Sequence, residues 1–189
     1  MARPKTLVMT VFVALLRGIN VGGNKSIRMA ELKALLEGFG LADVKTLLNS
    51  GNVVFTAGKG SGALMKELED AVEKKFGFRP TIVLCTMAQL KKILEANPFP
   101  DMAKSDPSHL LVMTLAQKAK ASAKASLAKV YSGPEEIEIK GANVYVTYPN
   151  GIGKSKLTNA LLEKHIGVGT ARNWNTLTKL LAIAEELDE

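Results

Sequence analysis

Apolar and polar positions along the chain fall into two spacings, and the switches between them mark the elements. Val11 to Leu16 is an unbroken apolar run that reads as a buried strand, and it stops abruptly at Arg17-Gly18-Ile19-Asn20-Val21-Gly22-Gly23-Asn24. Met29, Leu32, Leu35, Leu36 and Phe39 then recur at helical spacing, and Gly38 and Gly40 lie where that helix should end. Val44 to Leu48 and Val53 to Phe55 read as strands around Asn49-Ser50-Gly51-Asn52, whose Ser-Gly centre suits a tight hairpin. Leu64, Leu68, Ala71, Val72 and Phe76 give a second helix face, Thr81 to Cys85 a fourth strand, and Thr86 with Gln89 the spacing of a capping box before another helix. Asn97-Pro98-Phe99-Pro100 ends that helix, because proline cannot continue it and drives its predecessor toward extended geometry.

The second half repeats the order. Leu110 to Leu115 predicts a strand, Gln117 to Tyr131 an alanine- and lysine-rich helix, and 137–139 with 144–146 two strands about a Lys-Gly-Ala turn. A loop from Gly151 to Lys156, a helix from Leu157 to His165, a short strand at 168–171 and a final helix carrying Leu177, Leu180, Leu181, Ala184 and Leu187 complete it. Asn52-Val53-Val54-Phe55-Thr56 matches Asn143-Val144-Tyr145-Val146-Thr147 at an offset of 91, which Gly60 and Gly62 share with Gly151 and Gly153. The expected fold is therefore α+β, with two ferredoxin-like halves, each βαββαβ plus a C-terminal helix, whose antiparallel sheets are covered by helices. Residues 1–97 form the first half, 98–107 a linker and 108–189 the second, an internal duplication; chance likeness of two generic hairpins is the alternative.

In such a half the turn after strand one and the hairpin between strands two and three lie at one end of the sheet. In the first half these are Arg17 to Asn24 and Asn49 to Asn52, the most polar, glycine-marked segments. In the second half the polar residues move to the opposite end, Pro149 to Lys156 and Thr170 to Thr176. The expected ligand-binding set is Arg17, Asn20, Gly22, Gly23, Asn49, Asn52, Gly153, Lys154, Ser155, Lys156, Arg172, Asn173 and Trp174, both clusters facing a common cleft. Arginine forks and asparagine amides suit a small anion, and paired glycines let it approach the backbone. Each piece also has a plainer role: hairpin chemistry for Asn49 to Asn52, a cap for Asn173 or Asn175, an anchor for Trp174.

Gly151-Ile152-Gly153-Lys154-Ser155 has Tyr148 where the Walker pattern requires glycine, so a Walker NTPase is not supported; a looser phosphate or carboxylate site with Lys154 and Lys156 is. His109 and His165 are far apart, no cluster has metal-ligand spacing, and no nucleophile or general base stands out. The lone Cys85 sits in an apolar run and reads as a core residue. The net charge of +7 is uneven: residues 1–97 hold 14 Lys/Arg against 8 Asp/Glu, the remainder 11 against 10. That bias favours phosphate-bearing partners. No apolar run reaches the ~18 residues of a membrane span, and a cytoplasmic protein is expected.

The runs Ala14-Leu15-Leu16-Arg17-Gly18-Ile19-Asn20-Val21-Gly22-Gly23, Ser50-Gly51-Asn52-Val53-Val54-Phe55, Asn97-Pro98-Phe99, Gly151 to Leu157 and Arg172-Asn173-Trp174-Asn175-Thr176 resemble the bacterial family called domain of unknown function 1697. The resemblance spans nearly the whole chain in order and implies a cytosolic α/β protein of unassigned activity, with no catalytic residues to carry over. The leading expectation is a protein that binds a small anionic, phosphate-bearing ligand, with a nucleotide among the candidates. RNA or DNA binding is the second reading, disfavoured by an aromatic content of 5%. An enzyme acting on a phosphorylated metabolite is the third.

Overall fold

The computed structural model describes residues 9–21 and 25–189. It holds two four-stranded antiparallel sheets, each with helices. The first contains β1 (Thr10–Arg17), β2 (Ala42–Leu47), β3 (Asn52–Ala57) and β4 (Thr81–Thr86) in the order β2-β3-β1-β4. The second contains β5 (Leu110–Leu115), β6 (Ile137–Lys140), β7 (Asn143–Thr147) and β8 (Gly169–Asn173) in the corresponding order β6-β7-β5-β8. The helices are α1 (Met29–Gly38), α2 (Ser61–Phe76), α3 (Met87–Glu95), α4 (Pro100–Ser105), α5 (Ala123–Ala128), α6 (Asn159–His165) and α7 (Trp174–Asp188).

The unbroken apolar run of β1 has its explanation in burial on both faces. Phe12, Ala14 and Leu16 enter a core with Leu32 and Leu36 of α1 and Leu64, Leu68 and Val72 of α2, while Val11, Val13 and Leu15, on the alternate positions, are buried as well. Two further segments follow their sequence signals closely. Gln89 N–H donates to Thr86 Oγ1 at 3.2 Å and Thr86 N–H to Gln89 Oε1 at 2.8 Å, closing the capping box of α3. Cys85 is buried, and desolvation pushes its thiol up to about 12, so it is a packing residue and not a nucleophile.

In the second sheet Leu111, Met113 and Leu115 of β5 pack with Val144 and Val146 of β7, Ala123 and Leu127 of α5, and Leu162 of α6. Three segments depart from expectation. The stretch 98–107 contains α4, with Pro100 at its first turn. The helix expected over Gln117 to Tyr131 shrinks to α5, since only Ala123 and Leu127 of that stretch are buried and alanine and lysine propensity without an apolar stripe does not hold a helix. The last strand runs on to Asn173, so Arg172 and Asn173 are paired with Val112 and Leu111 of β5.

The chain divides into two units that are not consecutive in sequence. One comprises the described residues up to Leu90 together with Leu180–Glu189; the other is Lys91–Lys179. Helices α3 and α7 are therefore each split. Within the first unit Lys45 Nζ pairs with Glu186 Oε2 at 3.0 Å; within the second, Tyr145 Oη donates to Ile93 O at 2.6 Å and Lys140 Nζ to Ala96 O at 2.7 Å.

Candidate functional site

In the first unit the turn after β1 and the β2–β3 hairpin do meet. Leu16 N–H donates to Gly51 O at 2.8 Å, and the Asn20 amide bridges the two segments. Asn20 takes the left-handed conformation, φ 56°, which asparagine tolerates. Its Nδ2 donates to Asn49 O at 2.6 Å and Ile27 O at 2.9 Å, and its Oδ1 accepts from Ile27 N–H at 2.7 Å. Asn52 is fully buried, with Nδ2 donating to Leu47 O and Ser50 Oγ, both at 2.9 Å. Gly51 has φ 77°, and a Cβ there would lie 2.7 Å from Ile19 Cδ1 and 2.8 Å from Leu16 Cβ. These contacts explain the asparagines and the glycine as parts of one stapled corner. Asn49 is exposed and lines a recess of about 380 Å³ with Asn20, Ser26, Ile27 and Arg28. Arg17 is half-buried at the end of β1 opposite Thr81, and Gly22 and Gly23 lie outside the described residues.

In the second unit the loop after β7 and the end of β8 share the end of the sheet at which β5 begins: Leu110 pairs with Thr147, and Leu111 with Asn173. Gly153 and Lys154 are exposed in a short 3-10 turn, Ile152–Lys154, and Lys156 is exposed after it. Ser155 Oγ donates to Glu135 Oε1 and accepts from Leu157 N–H at 2.9 Å, which tethers the loop. Asn173 Oδ1 accepts from Thr176 N–H at 3.0 Å and Thr176 Oγ1 at 2.8 Å, capping α7, and Trp174, the first residue of that helix, is half-buried.

Glu135 holds this loop by accepting from Tyr131 Oη as well. Burial drives its carboxyl up, but the hydroxyls of Ser155 and Tyr131, with its own backbone, outweigh that and hold it below the usual carboxylate range. A carboxyl depressed in the folded state contributes stability above its unfolded pKa and loses it as pH falls through the folded one. Wild type is thus expected to lose urea resistance on acidification below the ordinary carboxylate range more steeply than Glu135→Gln, with midpoints read against pH; parallel curves would remove this role.

Arg172 is different from its neighbours. Its side chain falls on the same face of β8 as Thr170, opposite Val112 and Thr114 of β5, with Asn143 of β7 opposite Thr114 on the far side. Burial pushes the guanidinium down to about 10, although its Nη1 donates to Ala171 O at 2.8 Å. Thr170 is 1% exposed, and neither Thr170 Oγ1 nor Asn143 Oδ1 has a hydrogen-bond partner among the described residues. Buried polar atoms are paired in the great majority of cases, so two orphans in the row Thr170–Thr114–Asn143, one row away from the desolvated Arg172 on the same strand face, stand out. Thr170 opens the polar stretch Thr170 to Thr176 and Asn143 belongs to the repeated hairpin, yet neither stands out as a site residue in the sequence, because a threonine in a strand and an asparagine at a turn are ordinary. No group of three or more His, Cys, Asp or Glu side chains able to hold a metal occurs among the described residues, and no helix there is long and apolar enough to cross a membrane.

The profile of a family described as a protein of unknown function, DUF1697, matches residues 9–145. The chain belongs to the DUF1697 family. The matched range includes the stapled corner of the first unit and ends within β7, before Lys154 and Arg172. Among solved structures, the chain is similar to the conserved bacterial protein SP0830 from Streptococcus pneumoniae, with a TM-score of 0.74 and 23% identity, covering 94% of this chain and 99% of that one. That likeness places this DUF1697 chain and the streptococcal protein in the same fold. No curated protein matches the chain.

Proposed function

We propose that this protein binds a small phosphate-bearing anion on the second unit, with Arg172 as its principal charge, Thr170 Oγ1 as a neutral partner, and Lys154 and Lys156 as exposed rim charges. The observation that carries the reading is the desolvated guanidinium on the same strand face as the unpartnered, fully buried Thr170 hydroxyl. An arginine held out of water gains more from an anion than one in solvent, because screening is weak there and the bond is charge-assisted. Phosphate would draw the Arg172 pKa back up, and by linkage the same free energy appears as affinity. Lys154 and Lys156 add attraction that salt should weaken. In the first unit the amides of Asn20 and Asn52 already serve the backbone, so the reading is confined to the second.

The likeness of strand order in the two sheets supports a ferredoxin-like duplication, and the reading fits a cytoplasmic protein handling a soluble metabolite. The aromatic residues of the central strands favour a small ligand over nucleic acid. Phe55 is buried and stacked on Phe12 at 5.9 Å between centroids, and Tyr145 is buried with its hydroxyl on Ile93 O, so none of the three offers a face to a base.

Isothermal titration with pyrophosphate and with ADP tests the proposal. Arg172→Ala is expected to weaken binding by about 10- to 100-fold, the range of one charge-assisted hydrogen bond, and Thr170→Val by several-fold. No binding of either probe, or equal affinity in wild type and Arg172→Ala, would refute it.

A further inference from the structure

The end of the second sheet that holds the Ile152–Lys154 turn also carries a carboxylate–imidazole pair. Asp106 Oδ2 lies 2.6 Å from His109 Nδ1, and Ser108 Oγ donates to Asp106 Oδ1 at 2.7 Å. Asp106 precedes Pro107 at the start of a 3-10 turn, Pro107–His109, where an aspartate ordinarily caps backbone N–H groups; its side chain caps none. The carboxylate serves the imidazole instead.

His109 is fixed from both sides by its own backbone. Its N–H donates to Asp106 O at 3.0 Å, and its carbonyl accepts from Tyr148 N–H at 2.8 Å, tying it between the start of β5 and the end of β7. The far edge of the ring faces Gly151, where an added Cβ would stand 3.4 Å from His109 Nε2. Gly151 has φ 86°, a conformation L side chains rarely adopt, so the Nε2 edge is kept beside the bare backbone that leads into Ile152–Lys154. About a third of the side chain, 35%, is exposed, which leaves it open to a guest.

A carboxylate on Nδ1 holds the ring proton there and leaves the lone pair on Nε2, the arrangement that suits a proton acceptor. We propose that His109 takes a proton at Nε2 from a hydroxyl of the bound guest, or from a water beside it, and that Asp106 is the positioning residue. This rests on the anion-binding reading above and narrows the ligand to a phosphate-bearing small molecule that also carries a reacting hydroxyl or water. The proton leaves oxygen for Nε2, and the positive charge it brings is countered by the Asp106 carboxylate.

The chain has two histidines, so His165, whose Nδ1 lies 3.0 Å from Ser126 Oγ, serves as an internal reference. With diethyl pyrocarbonate at about pH 8, where an ordinary imidazole is neutral, His109 is expected to react several-fold faster than His165. Nitrogen-15 NMR should show it as the Nδ1–H tautomer. Asp106→Asn should mix the tautomers and slow the reaction, and Asp106→Glu should restore both; pyrophosphate should protect His109 but not His165. Tautomer and rate indifferent to Asp106→Asn would overturn the proposal. So would pyrophosphate that binds in an Arg172-dependent manner yet leaves the His109 rate unchanged, and in that case the anion-binding reading stands. Failure of pyrophosphate and ADP to bind at all removes the anion-binding reading, and this proposal with it.

Discussion

Gly169→Ala is expected to part β8 from β5 and to cost the protein both stability and ligand. A Cβ at this position would stand 2.5 Å from Thr114 O and 3.0 Å from Leu115 Cα, and both neighbours are backbone, so no side-chain rotation relieves the clash. Gly169 pairs with Leu115 at the first position of β8, and Thr170 and Arg172 follow one and three residues later on the same strand. Relief therefore means displacing the strand that carries the proposed anion contacts. Forcing atoms into a packed site costs about 1–3 kcal/mol, and more where backbone must move. The urea midpoint should fall and pyrophosphate affinity should drop with it. Gly153→Ala is the contrast: its Cβ would meet nothing within 4 Å, so a change within about 0.5 kcal/mol is expected. A wild-type midpoint for Gly169→Ala would mean that β8 is not held against β5 as described.

Phe55→Ala carries the larger loss of stability. Phe55 is 0% exposed at the centre of β3, opposite Phe12 of β1, and the two rings stack within the core that α1 and α2 close. Truncating a buried phenylalanine costs about 3–5 kcal/mol, from lost transfer free energy together with the cavity left behind. Phe55→Leu keeps most of the volume and should lose well under half as much. Circular dichroism across a urea series measures both; equal midpoints for the alanine and leucine variants would show that the ring's volume is not what the core needs.

The contrast between these two positions shows what the sequence could and could not reveal. Phe55 lies in the short apolar run Val53 to Phe55, and burial on both faces announces itself by such a run, more fully in β1. Helices with an apolar stripe, such as α2, were equally legible. Lys118, Lys120 and Lys129 misled because lysine and alanine favour helix anywhere, and only packing decides where one persists. The polar motifs lie at the ends of the sheets where strand order put them, but their residue types did not reveal the roles of their members. Asn20, Asn52, Ser155 and Asn173 have the donors and acceptors of a binding site, and each directs them at its own backbone or at a neighbour. Side-chain type cannot distinguish those uses. Asp106 and Thr170 became notable only through register and distance, Asp106 by reaching His109 across a 3-10 turn and Thr170 by sharing a strand face with Arg172.

The split of α7 bears on how the chain matures. The first unit draws in Leu180–Glu189, which follows the whole of the second unit in sequence. During synthesis, which proceeds at about 5–20 residues per second, the N-terminal sheet emerges from the ribosome well before those residues exist. Its final consolidation must wait until Leu180–Glu189 has been made, so a nascent chain stalled anywhere before Leu180 holds an incomplete first unit rather than a folded first half followed by an unfolded second.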